Sequence, residues 1–201
     1  MSTKTILDYE TVALDAQTDE LVIIDQTLLP GTTEIIRLSS AQEIWDAIYL
    51  LKVRGAPAIG VAAAIGIYIL AKQIAKEHNM LDATENADQE AEYKVFYEEF
   101  VKQKEFLNSA RPTAVNLSWA LNRMDALCQS MKDRKVAEII DALQKEAIEI
   151  KDEDIRVCKA IGEYGLSLVK PGDGILTHCN AGQLATCKYG TATAPIYLGH
   201  E

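Results

Sequence analysis

Pro171-Gly-Asp-Gly-Ile-Leu-Thr-His-Cys-Asn-Ala-Gly182 runs from one turn to another through a short apolar segment. Pro171-Gly172 punctuates its start, Ile175-Leu-Thr177 has strand character, and Asn180-Ala-Gly182 reads as a tight turn feeding the next element. That order predicts one strand of an open parallel sheet, with Cys179 delivered to its carboxyl end. Ligands of such sheets bind outside the carboxyl ends of the strands, so Cys179 is the first candidate for chemistry. A parallel strand must be covered on both faces and paired along its edges. Few residues follow Gly182, so only the beginning of that sheet is expected.

Moving toward the N-terminus, residues 134 to 169 read as a long, mostly helical region, broken or recapped near Lys151-Asp-Glu-Asp154, where acidic residues suit a helix N-terminus. Ala114, Leu117, Leu121 and Met124 recur at helical spacing, as do Tyr93, Phe96, Phe100 and Leu107. Arg111-Pro-Thr113 separates the two patterns. Residues 82 to 92 carry five acidic side chains and predict a solvated loop or the start of the earlier helix. Before it, a helix from Ala58 to about Glu77 is expected, with Pro57 in its first turn and Gly60, Ala62-Ala-Ala64 and Gly66 permitting close approach. Ser40-Ala-Gln-Glu43 has capping-box spacing for a helix from about Ala41 to Val53. Thr11-Leu14, Glu20-Asp25 and Thr33-Leu38 predict a small antiparallel sheet, with Pro30-Gly31 as a turn. The expected class is α/β: a sheet-plus-helix domain over residues 1–130, then connecting helices and the first strand of an incomplete parallel-sheet domain over 131–201.

The composition is that of an ordinary soluble protein, 48% hydrophobic and 25% charged over 201 residues. A formal net charge of −10 argues against nucleic acid or an anionic membrane as partner, so any anion must be bound by a local basic pocket. The apolar stretch Ala56 to Ala71 is short for a membrane span of roughly 20 residues and reads as a buried helix. Four cysteines without a CxxC pair, and no signal peptide before them, predict reduced thiols in the cytoplasm.

Arg54-Gly-Ala-Pro57 places a cation and a glycine directly before a helix start. The unpaired N–H groups of a first helical turn and an arginine fork suit a phosphate, although a tight corner between helices would use the same residues. Arg111-Pro-Thr113 repeats the arrangement, and the two corners could converge; alone, Arg111 also fits a surface cation. For Cys179 the alternative is a small apolar filler, the commonest use of free cysteine. Against it stands a strand-end position beside a turn and a helix start, which can lower a thiol's pKa. Cys128, Cys158 and Cys187 lie in helical patterns and are assigned to the core. His178 would face away from its neighbour on a strand, and Cys179, Cys187 and His200 have no zinc spacing, so no metal site is expected.

Taken together, Arg54-Gly-Ala-Pro-Ala-Ile-Gly60, Ala110-Arg-Pro-Thr-Ala-Val-Asn-Leu117 and Ile175-Leu-Thr-His-Cys-Asn-Ala-Gly182, followed by Tyr189-Gly-Thr191, closely resemble the methylthioribose-1-phosphate isomerase family, relatives of the regulatory subunits of translation initiation factor 2B. The resemblance spans essentially the whole chain but only the first half to three-fifths of a family member. It implies a cofactor-free and metal-free aldose–ketose isomerase of methionine salvage, converting 5-methylthioribose 1-phosphate to 5-methylthioribulose 1-phosphate, with 5-deoxyribose 1-phosphate as a sibling substrate. It also implies an N-terminal sheet-and-helix domain joined to a Rossmann-like domain, and a homodimer at full length. By the same resemblance Arg54, Gly55, Ala56 and Arg111 bind the substrate and Cys179 is the catalytic thiol. The family's catalytic aspartate belongs to later segments, and neither Asp154 nor Asp173 matches its motif, so the chain by itself is expected to be inactive. Gln183 and Lys188 stand where smaller residues are expected. The alternative is a non-catalytic sugar- or nucleotide-phosphate-binding module like the initiation-factor subunits.

Overall fold

The computed structural model describes residues 10–82 and 88–200. Strands β1 (Val12–Asp15), β2 (Glu20–Ile24) and β3 (Ile35–Leu38) form an antiparallel meander in the order β1-β2-β3. The register pairs Val12 with Ile23 and Ile23 with Ile36. Asp15 shapes the β1–β2 turn by accepting N–H bonds from Gln17 at 3.0 Å and Thr18 at 3.4 Å. Val12, Leu21, Ile23 and Leu38 are buried, while on the outer side Arg37 reaches across to Asp15 and Glu20.

The capping box closes as its spacing predicts. Ser40 Oγ accepts from the Glu43 N–H at 3.3 Å and Glu43 Oε2 accepts from the Ser40 N–H at 3.0 Å, opening α1 (Ala41–Tyr49). This helix stops short of the expected Val53 because Leu51 adopts a left-handed φ of 62°. Helix α2 (Ala56–Glu77) starts two residues earlier than expected, with Gly55 at its cap and Pro57 in its first turn.

The unbroken run of α2 from Ala58 to Ala71 is buried. The whole helix, Ala56–Glu77, is long and apolar enough by length and composition to cross a membrane, yet 89% of its 18-residue apolar window is buried inside the molecule. The sheet and helices α3 (Gln89–Ser109), α4 (Val115–Ser130) and α5 (Val136–Leu166) provide the cover. Two glycines within α2 allow close approach: a Cβ on Gly60 would lie 2.9 Å from the Asn116 carbonyl oxygen, and one on Gly66 would lie 2.9 Å from Ile44 Cγ2. Asp88 caps α3, whose Phe96, Phe100 and Leu107 face the core. Part of the acidic stretch 82 to 92, residues 83–87, lies outside the described residues.

Two sequence expectations are corrected. Helix α5 runs without interruption through Lys151-Asp-Glu-Asp154. That segment contains no proline or glycine, and its charges are taken up by distant partners: Lys151 by Glu10, Glu153 by Arg123, and Asp154 by the Cys187 N–H. Nor is there a strand over Ile175–Thr177. Residues 168–180 follow α5 as exposed, irregular chain, because among the described residues no parallel strand is present to complete a ladder. The chain then folds back through a 3-10 turn (Gln183–Ala185) to α6 (Ala194–His200), which packs on α5.

Candidate active site

A cleft of about 680 Å³ opens where the end of β2, the corner before α2 and the returning segment meet. Gln26, Leu29, Pro30, Arg54, Cys179, Asn180 and Leu184 line it. Two residues that lie 125 positions apart in the numbering, Arg54 and Cys179, thus face one space.

Backbone geometry holds the walls together. Gly55 has a φ of 99°, and a Cβ there would lie 2.6 Å from the Ala185 carbonyl oxygen, so glycine lets the Arg54 corner close onto the segment that carries Cys179. Gln26 ties the same two walls: its backbone N–H donates to the Lys52 carbonyl at 2.9 Å and its side-chain Nε2 donates to the Leu184 carbonyl at 2.8 Å. Thr11 adds a second tie, donating from its backbone to the Cys187 carbonyl and from Oγ1 to the Gln183 carbonyl, both at 3.2 Å. Cys179 itself is exposed and left-handed, with a φ of 66°. The chain just after it is pinned where Thr191 N–H and Thr193 Oγ1 both donate to the Ala181 carbonyl at 3.0 Å. Gly190 sits against Ala181 and Gly182 in that fold-back, which is the structural use of Tyr189-Gly-Thr191.

The chain has six arginines. Arg37, Arg123, Arg134 and Arg156 each pair with a carboxylate, whereas among the described residues Arg54 and Arg111 have no ion-pair partner. In a molecule with 30 acidic residues, the two arginines singled out in the sequence are the two left available. Helices α2 and α4, which they precede, have no side-chain cap on their first turns, unlike α1 and α3. Their N-terminal turns meet at Gly60 and Asn116. Free N–H groups, helix dipoles and guanidinium forks together favour an anion at this end of the helix pair. Arg111 heads α4 but does not line the cleft that holds Arg54 and Cys179, and His178 does not line it either. The corner residue Ala56 is exposed.

The other thiols are of a different kind. Burial pushes the Cys128 and Cys158 thiols up to about 12, and the Cys187 thiol also well upward, so all three stay protonated as core residues. Asp154 lies between two of them. It accepts the Cys187 N–H at 2.7 Å and lies 3.8 Å from Cys158 Sγ, and burial raises its pKa. Asp154 therefore anchors the returning segment and lines a separate, smaller cleft of about 170 Å³. Gln183 is buried in the 3-10 turn, and Lys188 lies 5.3 Å from the centre of the Tyr189 ring, so both departures from smaller residues are accommodated.

Residues 52–196 match the model of the initiation factor 2 subunit family. The chain belongs to that family. Among its relatives, methylthioribose-1-phosphate isomerase of Symbiobacterium thermophilum is 53% identical over 96% of this chain and 50% of the relative. The 5-deoxyribose 1-phosphate isomerase of Clostridium botulinum is 49% identical over 93% of this chain and 50% of its own length. The fold is that of the 5-methylthioribose 1-phosphate isomerase of Pyrococcus horikoshii, with a TM-score of 0.81 at 35% identity, covering 96% of this chain and 49% of that one. It also matches translation initiation factor eIF-2B, subunit delta, from A. fulgidus, with a TM-score of 0.76 at 35% identity over 95% and 52% of the two chains. The chain spans about half the length of the family members it matches.

Gln26 and Thr11 escaped sequence reading. Each is an ordinary polar residue at a strand end, and its partner lies more than 150 residues away.

Proposed function

We propose that this chain forms the phosphate-binding and thiol side of an aldose–ketose isomerase site acting on 5-methylthioribose 1-phosphate in methionine salvage, with 5-deoxyribose 1-phosphate as sibling substrate. The observation that carries this is that Cys179 shares one cleft with Arg54, which has no carboxylate partner among the described residues. The names of the Symbiobacterium and Clostridium relatives support the substrate class.

In this scheme Arg54, with Gly55 and Ala56 at the uncapped start of α2, holds the substrate phosphate, and Arg111 adds charge from the neighbouring helix start. A phosphate on the anomeric carbon prevents spontaneous ring opening, so an acid must protonate the ring oxygen; that acid comes from the half of the family fold this chain does not span. Once the sugar is open, the hydrogen on C2 moves to C1. Cys179 as thiolate removes it as a proton, leaving an enediolate that is reprotonated at C1, or the hydrogen passes as hydride while the thiol stabilises the developing charge. Neither route calls on a metal ion or organic cofactor. Residues 1–130 act as the sheet-and-helix domain, and 131–201 lead into a Rossmann-like domain. The complete protein works as a cytoplasmic homodimer on a small molecule rather than on nucleic acid or a membrane.

The test is turnover of methylthioribose 1-phosphate followed by proton NMR. The chain continued by the remaining half of the Symbiobacterium relative is expected to isomerise it, Cys179→Ala to be inactive, and Arg54→Gln to raise KM; the 201-residue chain is expected to show no turnover. An active Cys179→Ala variant would remove the thiol from the mechanism. Phosphate-ligand binding without turnover by the continued chain would favour a binding module.

A further inference from the structure

Gln26 ties the two walls of the cleft, and the tie uses only half of its side-chain amide. Nε2 donates to the Leu184 carbonyl at 2.8 Å, which fixes the orientation of the amide, since turning it over would set two acceptors against each other. Oε1 is left over. Among the described residues no donor reaches it, and unlike Asn108 Oδ1 it is not sealed from solvent. Gln26 is only 8% exposed, and it lines the cleft beside Arg54 and Cys179.

A tie alone does not call for this residue. Thr11 joins the same returning segment to the sheet through a hydroxyl, donating to the Gln183 carbonyl at 3.2 Å, and it is fully buried. Gln26 stands instead on a braced turn. Its own N–H donates to the Lys52 carbonyl at 2.9 Å, and the neighbouring Asp25 accepts from the Thr27 N–H at 2.9 Å and the Thr27 hydroxyl at 2.6 Å. Leu29, Pro30 and Leu184 make the cleft apolar in part, and among the described residues Arg54 is the one charged group that lines it. An acceptor fixed in such surroundings recognises a hydroxyl by penalising its absence, because a ligand without that donor leaves the oxygen covered and unpaired.

We infer that Gln26 is a substrate-binding residue whose Oε1 accepts a hydrogen bond from the C3 hydroxyl of a pentose 1-phosphate held at Arg54. The chemistry of the substrate selects C3. C1 carries the phosphate, C2 gives up its hydrogen, and the oxygen on C4 belongs to the ring and takes a proton when the ring opens. Of the sugar hydroxyls, the one on C3 is unchanged from substrate to product, so a single fixed acceptor holds it throughout. It is also common to the methylthioribose and 5-deoxyribose substrates, whose difference lies at C5. The inference rests on the sugar-phosphate reading of the cleft but not on any role of Cys179 in hydrogen transfer.

The test uses the chain continued by the remaining half of the Symbiobacterium relative. It reads protection of Cys179 from an aromatic disulfide reagent, followed by peptide mass, rather than turnover. The ligands are methylthioribose 1-phosphate and its 3-deoxy analogue. In the parent, loss of the C3 hydroxyl should raise the half-protecting concentration at least tenfold. Gln26→Lys keeps a donor for the Leu184 carbonyl but offers no acceptor, so its preference between the two ligands should fall below threefold, whatever its absolute affinity. Equal protection of the parent by both ligands would overturn the inference without recourse to any variant. So would a Gln26→Lys protein that keeps the tenfold preference, since the tie to Leu184 would then be the whole role of Gln26. Protection by neither ligand would remove the sugar-phosphate reading itself and this inference with it, so the two failures remain distinguishable.

Discussion

A methyl group placed on Gly55 would sit 2.6 Å from both the carbonyl oxygen and the Cβ of Ala185. The corner that carries Arg54 and the segment that carries Cys179 are therefore in backbone contact, and the width of the cleft between them is set by a hydrogen atom. Gly55→Ala is expected to lower stability by about 2–4 kcal/mol, from left-handed strain together with overpacking. Gly172 has a similar φ of 92° but nothing within 4 Å of its Cβ position, so Gly172→Ala should lose only the strain, about 1 kcal/mol. Urea denaturation of the two variants separates the terms, and equal losses would show that the Ala185 contact yields.

Gln26→Leu removes the bond to the Leu184 carbonyl while keeping the side chain's bulk. A cost of about 1–3 kcal/mol is expected from the acceptor left behind. The backbone bond to Lys52 is retained, so the helices should keep their thermal transition while exchange at residues 183–187 speeds up. A variant whose 183–187 segment exchanges as in the parent would show that Thr11 holds it unaided.

Thiol chemistry should separate one cysteine from three. Cys179 is the exposed one, and the other three are buried with raised thiol pKa values. An aromatic disulfide reagent should modify one equivalent rapidly in the folded chain, and Cys179→Ser should eliminate that phase. Inorganic phosphate at millimolar concentration should slow it if anion binding near Arg54 screens the cleft. A fast phase of two or more equivalents would contradict the buried positions of Cys158 and Cys187.

Opposite signs of pH dependence are expected on the two sides of the ordinary carboxylate range. Burial raises the Asp154 pKa above 3.8, so the native state binds the proton more tightly than the unfolded chain, and stability contributed by this group falls as pH rises from about 4 through its folded pKa. At Asp125 burial opposes ionisation, but Lys104 at 2.6 Å, Gln129 and Tyr97 outweigh it and lower the pKa; that contribution is present above 3.8 and is lost as pH falls below it. Asp154→Asn keeps an acceptor for the Cys187 N–H, so relative to the parent it should gain stability between pH 4 and 7. Urea midpoints across that range check the sign, and a flat difference would remove Asp154 as the source.

Much of the fold was legible because its signals are local. The capping box at Ser40 and Glu43, Pro57 in a first helical turn and the alternation of the early strands each depend on residues a few positions apart. Arg54 and Cys179 were both named through motifs that resemble a known family, and the two line one cleft. What escaped depends on distant partners. The acids at 152–154 look like a helix start until Arg123 and the Cys187 backbone are seen to take up two of them. Ile175–Thr177 has the composition of a strand, but a ladder requires a neighbour, and composition carries no record of one. Arg111 was grouped with Arg54 by likeness of setting, and the structure places it at an adjacent helix start outside the cleft.

Helix α2 is completed at Glu77, but two of the helices that cover it end only at Ser130 and Leu166. At a synthesis rate of roughly 5–20 residues per second, its apolar surface is without full cover for on the order of ten seconds as the chain emerges. Chaperones and the membrane-insertion machinery, which read exposed apolar helices, meet α2 during that interval. Changes to α4 or α5 that slow their docking are therefore expected to reduce the yield of protein made in cells before they alter the stability of the finished molecule.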